Sequence, residues 1–262
     1  MSTLSYAISD TATLTRRAVK HIFRYWSMTM LLVMMPVIFL LLFVYVFGGT
    51  IGAGLGGGRD TYINYVVPGI ILMTIAASAN GTAVSVSMDM TSGIIARFRT
   101  MAVGRGSVLA GRVLGATVQT LFCMAIVLAV ALAVGFRPTA GPLEWLALIG
   151  VLAIITLAMT WLVVALGLVA KTVESASNLP TALTLLPFLS SGFVPTDSMP
   201  TWLGWFAEYQ PFTPFIETVR GLLMGTPIGD NGWLTIAWSV VIMVLSFLWA
   251  VKLFNRNAQR AS

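Results

Sequence analysis

The residues able to do chemistry are few and far apart. A single histidine, His21, and a single cysteine, Cys123, exclude the usual zinc ligand sets and a supported cysteine–histidine pair. Ser190 and Ser191 precede Gly192, yet the one imidazole lies far away in a basic N-terminal stretch, so a serine nucleophile has no base. The lysines are Lys20, Lys171 and Lys252, and none follows a glycine-rich turn. Without a Gly-x-x-x-x-Gly-Lys-Ser/Thr run the chain does not bind and split ATP in the P-loop manner by itself. His-Glu-x-x-His and Gly-x-Ser-x-Gly are also missing, so the sequence offers no catalytic and no metal-ligating set. What remains is a handful of polar side chains in or beside long apolar runs: Asn80, Gln119 and Asn178, and the pair Glu217 and Arg220 in PFIETVRGLL. Such residues mark a pathway or a packing contact. A hydrogen bond between helices accounts for each of the three amides equally well. Glu217 and Arg220 are spaced to meet on one helical face, which spares each its full desolvation cost.

The elements that must hold these residues are membrane spans. Of 262 residues, 58% are hydrophobic and 9% charged, whereas a soluble domain carries about a quarter charged residues. So few charges cannot cover a water-facing surface. The net charge of +6 is not a nucleic-acid footprint, because the basic residues sit in short segments between apolar runs rather than on one face.

Residues 1–28 form a cytoplasmic amphipathic segment. Leu14, Ala18, Ile22 and Trp26 share a helical face, and Arg16, Arg17, Lys20 and Arg24 cover much of the rest, the composition of a helix lying flat among lipid headgroups. A solvated basic tail is the plainer alternative, and either places this end inside. Six spans are expected over residues 29–253: 29–47, kinked at Pro36; 62–87; 110–134; 145–169; 179–193, short and broken by Pro180 and Pro187; and 233–253. Residues 48–60 are expected to be a flexible, glycine-rich outer loop. Between the fifth and sixth spans, a stretch rich in Pro, Trp, Tyr and Phe is too apolar for a free loop and too interrupted for a span. Short helices dipping into the outer interface fit it. Trp202 and Phe212 there join Asn80, Gln119, Asn178, Glu217 and Arg220 as candidate pathway or gate residues. Residues 254–262 are a basic cytoplasmic tail. With both ends inside, only Arg59, Arg137 and Arg220 of the 15 Lys and Arg fall outside, as the positive-inside rule requires.

The segment from Met88 to Arg112 interrupts the apolar runs with Arg97, Arg99, Arg105 and Arg112 against Asp89 alone. Ile94, Phe98 and Met101 recur in it at helical spacing, the pattern of a short amphipathic helix on the cytoplasmic side.

Two stretches, DMTSGIIARFRTMAVGRGSVLAGRVL and LPFLSSGFVPTDSMPTWLGWFAEYQPFTPFIETVRGLL, together with the order of the spans, resemble the ABC type-2 permeases, in particular the daunorubicin-resistance type of drug-export membrane subunit. The resemblance covers nearly the whole chain. Ala96 stands where that type often has an acidic residue, and the loop lacks its proline near Ala102. The resemblance implies an all-α membrane protein that exports a hydrophobic or amphipathic compound, a drug or antibiotic, from a bacterial cell. It implies two copies of a separate ATPase subunit that carry the ATP and magnesium, and a second copy of this chain or a related permease. It makes Gly93 to Met101 the coupling helix, with Ile94, Phe98 and Met101 docking on the ATPase and Arg97 and Arg99 beside them. It makes the short outer helices the closure of the pathway. The same architecture also serves lipid or lipid-linked glycan export. A channel or a membrane enzyme is the reading from a different class, and the sequence lacks the polar ring or the convergent polar site that either needs.

Overall fold

The computed structural model describes residues 26–91, 105–170 and 172–260. The expected coupling stretch, with Ile94, Arg97, Phe98, Arg99 and Met101, lies outside the described residues, as does the expected N-terminal amphipathic segment up to residue 25.

All regular structure among the described residues is helical. α1 (Trp26–Leu42) carries Pro36 and runs through a π-helical turn (Phe43–Phe47) into α2 (Gly48–Gly54). α3 (Arg59–Thr91), α4 (Arg105–Val134) and α5 (Pro142–Val169) follow. Short pieces come next: α6 (Val173–Asn178), α7 (Thr181–Leu185), a 3-10 turn (Leu186–Leu189), a second (Thr196–Ser198), α8 (Thr201–Tyr209) and α9 (Phe212–Met224). α10 (Asn231–Arg260) closes the chain and extends through most of the expected tail. Among the described residues, five continuous helical stretches are long and apolar enough to cross a membrane: Thr29–Gly54, which joins α1, the π-helical turn and α2, and Arg59–Met88, Ala110–Val134, Pro142–Val169 and Asn231–Leu253. The shortest, 23 residues, rises about 34 Å at ~1.5 Å per residue, more than a hydrocarbon core of about 30 Å.

The expectation fails in two places. Residues 48–60 are not a flexible loop: the helix continues to Gly54, and only a tight turn separates it from α3. A Cβ on Gly52 would sit 2.2 Å from the Gly58 carbonyl oxygen, so this glycine serves close approach rather than freedom. Backbone near the membrane also keeps its hydrogen bonds internal for as long as it can. The expected fifth span over 179–193 is not a span-length helix. Pro180 and Pro187 each lack the N–H that an uninterrupted helix needs, and the chain turns through α7 and the 3-10 turn to extended backbone at Ser190. The fourth span begins earlier than expected, at Pro142, where the Glu144 carboxylate accepts from the Gly141 N–H.

α3 is the centre. Of its most apolar window 83% is buried, against 22% for the first and last spans. Tyr62, Ile63, Val66, Val67, Ile70 and Ile71 are all shut inside. α1, α4, α5 and α9 pack around α3, and α10 lies against α5, with Phe247 edge-on to Trp161 at 5.0 Å. The outward faces of α1 and α10 carry Leu, Met, Ile, Val and Trp in the open, the surface of a helix meant for lipid or another apolar helix.

Candidate functional site

The break in the fifth expected span positions the densest polar cluster. Ser190 ends the 3-10 turn in extended backbone, and its hydroxyl donates to the Pro187 carbonyl and accepts from the Gly192 N–H at 3.2 Å. The break can press against α3 because both contact residues are glycines: a Cβ on Gly69 would lie 2.7 Å from the Gly192 carbonyl oxygen. On its other side lies α9. There Thr213 accepts from the Ser191 N–H at 3.4 Å and donates to the Ala207 carbonyl. Gln210, just before α9, donates to the carbonyls of Leu186 and Leu189, two groups that a regular helix would have satisfied.

Arg220 ties the three pieces together. Its guanidinium pairs with Glu217 one turn back on α9, donates to the Ser191 carbonyl at 2.8 Å and to the Tyr65 carbonyl of α3 at 3.2 Å, and lies over the Tyr65 ring at 4.0 Å. The Tyr65 hydroxyl donates to the same Ser191 oxygen at 2.7 Å. Three residues above it, the Tyr62 hydroxyl reaches the Phe193 carbonyl at 3.3 Å. The side chains of Arg220 and Glu217 are 14% and 29% exposed, so both charges are largely out of water and the pair is net neutral. Such a pair is strongly destabilising to break from one side, because the other charge is left without compensation.

Aromatic rings hold the opposite flank. Phe188 and Phe193 stack at 4.8 Å, Phe43 meets Phe193 at 4.8 Å, and Phe39 meets Phe188 at 5.3 Å, joining the break to the first span. This arrangement is a clamp. It contains no nucleophile–base pair, and no group of three or more His, Cys, Asp or Glu is found among the described residues. What it does is structural: it ties the irregular backbone of the break to α3 and α9 through side-chain hydrogen bonds and one ion pair.

Of the seven candidate pathway residues, the clamp unites Glu217 and Arg220. Phe212 lies on the same helix but in the core, against Phe215. Asn80 is half-buried on α3 with its Oδ1 unpartnered, and Gln119 is half-buried on α4. Asn178 is exposed at the end of α6, and Trp202 is 73% exposed on α8. Trp202 shares its face with Trp205, Phe206 and Tyr209, all exposed. Sequence reasoning missed Tyr65, Ser191, Gln210 and Thr213. One signal was present for the first: two tyrosines three apart inside an apolar span need partners for their hydroxyls.

Among the described residues the fold is an apolar helical bundle, with its helix broken between Pro180 and Ser190 and two short helices following the break. The ABC-2 type transporter family matches residues 9–224, and the chain belongs to that family. It is 30% identical over 256 residues to a daunorubicin resistance ABC transporter permease protein of Streptomyces coeruleorubidus, covering 96% of this chain and 88% of that relative. It is also 26% identical over 187 residues to a probable doxorubicin resistance ABC transporter permease protein of Mycobacterium tuberculosis, covering 71% of this chain and 68% of that one.

Proposed function

We propose that this chain is the membrane-spanning subunit of an ATP-driven exporter that moves a hydrophobic or amphipathic compound, of the drug or antibiotic kind, out of a bacterial cell. The observation that carries the reading is the near full-length similarity to a daunorubicin resistance permease. The fold adds a physical reason. The Arg220–Glu217 pair is self-neutralised within the clamp, and the apolar windows of the five long spans carry no more than two charged residues each, so they offer no series of charges for coupling to an ion gradient. The work must then come from a separate subunit. Two ATPase subunits, with their ATP and magnesium, dock on the cytoplasmic stretch 93–101 through Ile94, Phe98 and Met101, flanked by Arg97 and Arg99. The chain crosses the plasma membrane six times, the broken segment being the fifth crossing, with both termini in the cytoplasm. It works beside a second copy of itself or a related permease. The clamp, with α8 and α9, closes the outer mouth, and its release lets the compound leave.

The test is doxorubicin accumulation in a bacterial host stripped of its own exporters, expressing the chain with its ATPase. Accumulation should fall several-fold, and only when the ATPase can hydrolyse ATP. An assembled complex that leaves accumulation unchanged removes drug export from consideration.

A further inference from the structure

A second polar locus lies between α3, α4 and α5, away from the clamp. It is a cavity of about 10 Å³, lined by Ser78, Thr82, Thr120 and Thr160 together with apolar residues including Ala79 and Val163. That volume has room for about one water or one hydroxyl group. The Ser78 hydroxyl donates to the Thr74 carbonyl at 2.9 Å, that of Thr82 to the Ser78 backbone carbonyl at 3.1 Å and that of Thr160 to the Thr156 backbone carbonyl at 2.7 Å. Each of these hydroxyls has spent its single hydrogen on its own helix and keeps acceptor lone pairs. Thr120 is 3% exposed and makes no hydrogen bond within the described protein, so it keeps a donor as well. One turn from Thr160, the Thr156 hydroxyl is fully buried with no partner. Buried polar atoms are almost always satisfied, so Thr156 adds an unmet hydrogen bond on the same face of α5 as Thr160, one turn beyond the cavity lining.

The chemistry selects the visitor. No carboxylate lines the cavity, so a cation would be left without a counter-charge. Three acceptors and one donor–acceptor suit a group that both gives and takes a hydrogen bond. The location fits as well. Thr120 is eight residues along α4 from Arg112, about 12 Å of helix rise, whereas Ser78 is thirteen residues from Tyr65 of the clamp, about 20 Å. Ser78 is equally thirteen residues from Thr91 at the other end of α3, and Thr120 is at the middle of α4, so the cavity sits at mid-depth in the bundle, on the way of a compound crossing it.

We propose that this cavity is a hydrogen-bonding subsite that takes one hydroxyl group of the transported amphipathic compound, whose apolar body stays at the half-exposed mouth beside Thr82. The proposal rests on the export reading above. Doxorubicin, a hydroxyl-bearing amphipath, is the probe, titrated against the chain assembled with its ATPase in lipid nanodiscs, with binding followed by the compound's own fluorescence. Thr120→Val should raise Kd about fivefold, the usual effect of one lost hydrogen bond. Thr160→Val should do the same, and Thr120→Ser should restore near wild-type affinity. Thr117→Val, whose hydroxyl bonds within α4 outside the cavity, should change nothing. Thermal midpoint and basal ATP hydrolysis should stay level across the set. If wild type binds and exports doxorubicin while Thr120→Val and Thr160→Val bind it equally well, the cavity is a water site only and the proposal falls alone. Equal weakening by Thr117→Val would mean a packing effect and overturns it too. If the wild type neither binds nor exports the compound, the export reading fails and takes the subsite with it.

Discussion

Arg220 concentrates more partners than any other side chain in the clamp, and its removal should show it. Arg220→Ala leaves the Glu217 carboxylate mostly buried without its cation and takes donors from Ser191 and Tyr65. The expected loss is about 3–5 kcal/mol, reduced somewhat by the residual exposure of Glu217, and it is read as a lower thermal midpoint in detergent. Tyr65→Phe should cost only about 1 kcal/mol, since the Ser191 carbonyl keeps its bond from Arg220. Equal losses for the two variants would mean that the charge pair is not what holds the break. At this scale the sequence spoke through spacing. Glu217 and Arg220 lie three apart on one helix, so their meeting could be foreseen. Their long-range partners could not, because Ser191 and Tyr65 reach Arg220 across 29 and 155 residues, and no periodicity encodes such a meeting.

At the scale of elements, the broken segment is held by contact with α3. Gly69 of α3 and Gly192 of the break approach so closely that one methyl group would force them apart. Gly69→Val should therefore displace the break, lowering drug export at least tenfold while the complex still assembles with its ATPase. Export at the wild-type rate would show that this contact does not matter for turnover. The five long helices were legible from apolar run length alone. The break was legible only in part: Pro180 and Pro187 announced an interruption, but a run of fifteen residues still counted as a span. The glycine-rich turn was misread for the opposite reason, since composition cannot tell a glycine kept for freedom from one kept for contact.

For the whole molecule, orientation and energy supply go together. Cysteine introduced at Gly57 should react with a membrane-impermeant maleimide in intact cells, whereas cysteine at Ser262 should react only after permeabilisation. The reverse pattern would turn the transporter upside down and move residues 93–101 away from any cytoplasmic ATPase. Phe98→Asp should abolish co-purification of the ATPase, and unchanged co-purification would place the docking face elsewhere. The membrane class was readable from charge scarcity, since no packing detail can rescue a surface with 9% charged residues in water. The one native cysteine has a practical consequence. Cys123 lies fully buried in the middle of α4. A thiol reagent can reach it only when the bundle comes apart, so its labelling rate is a clock for global opening. The same protein, with that position silent while folded, lets any single introduced cysteine report its own local motion against a dark background.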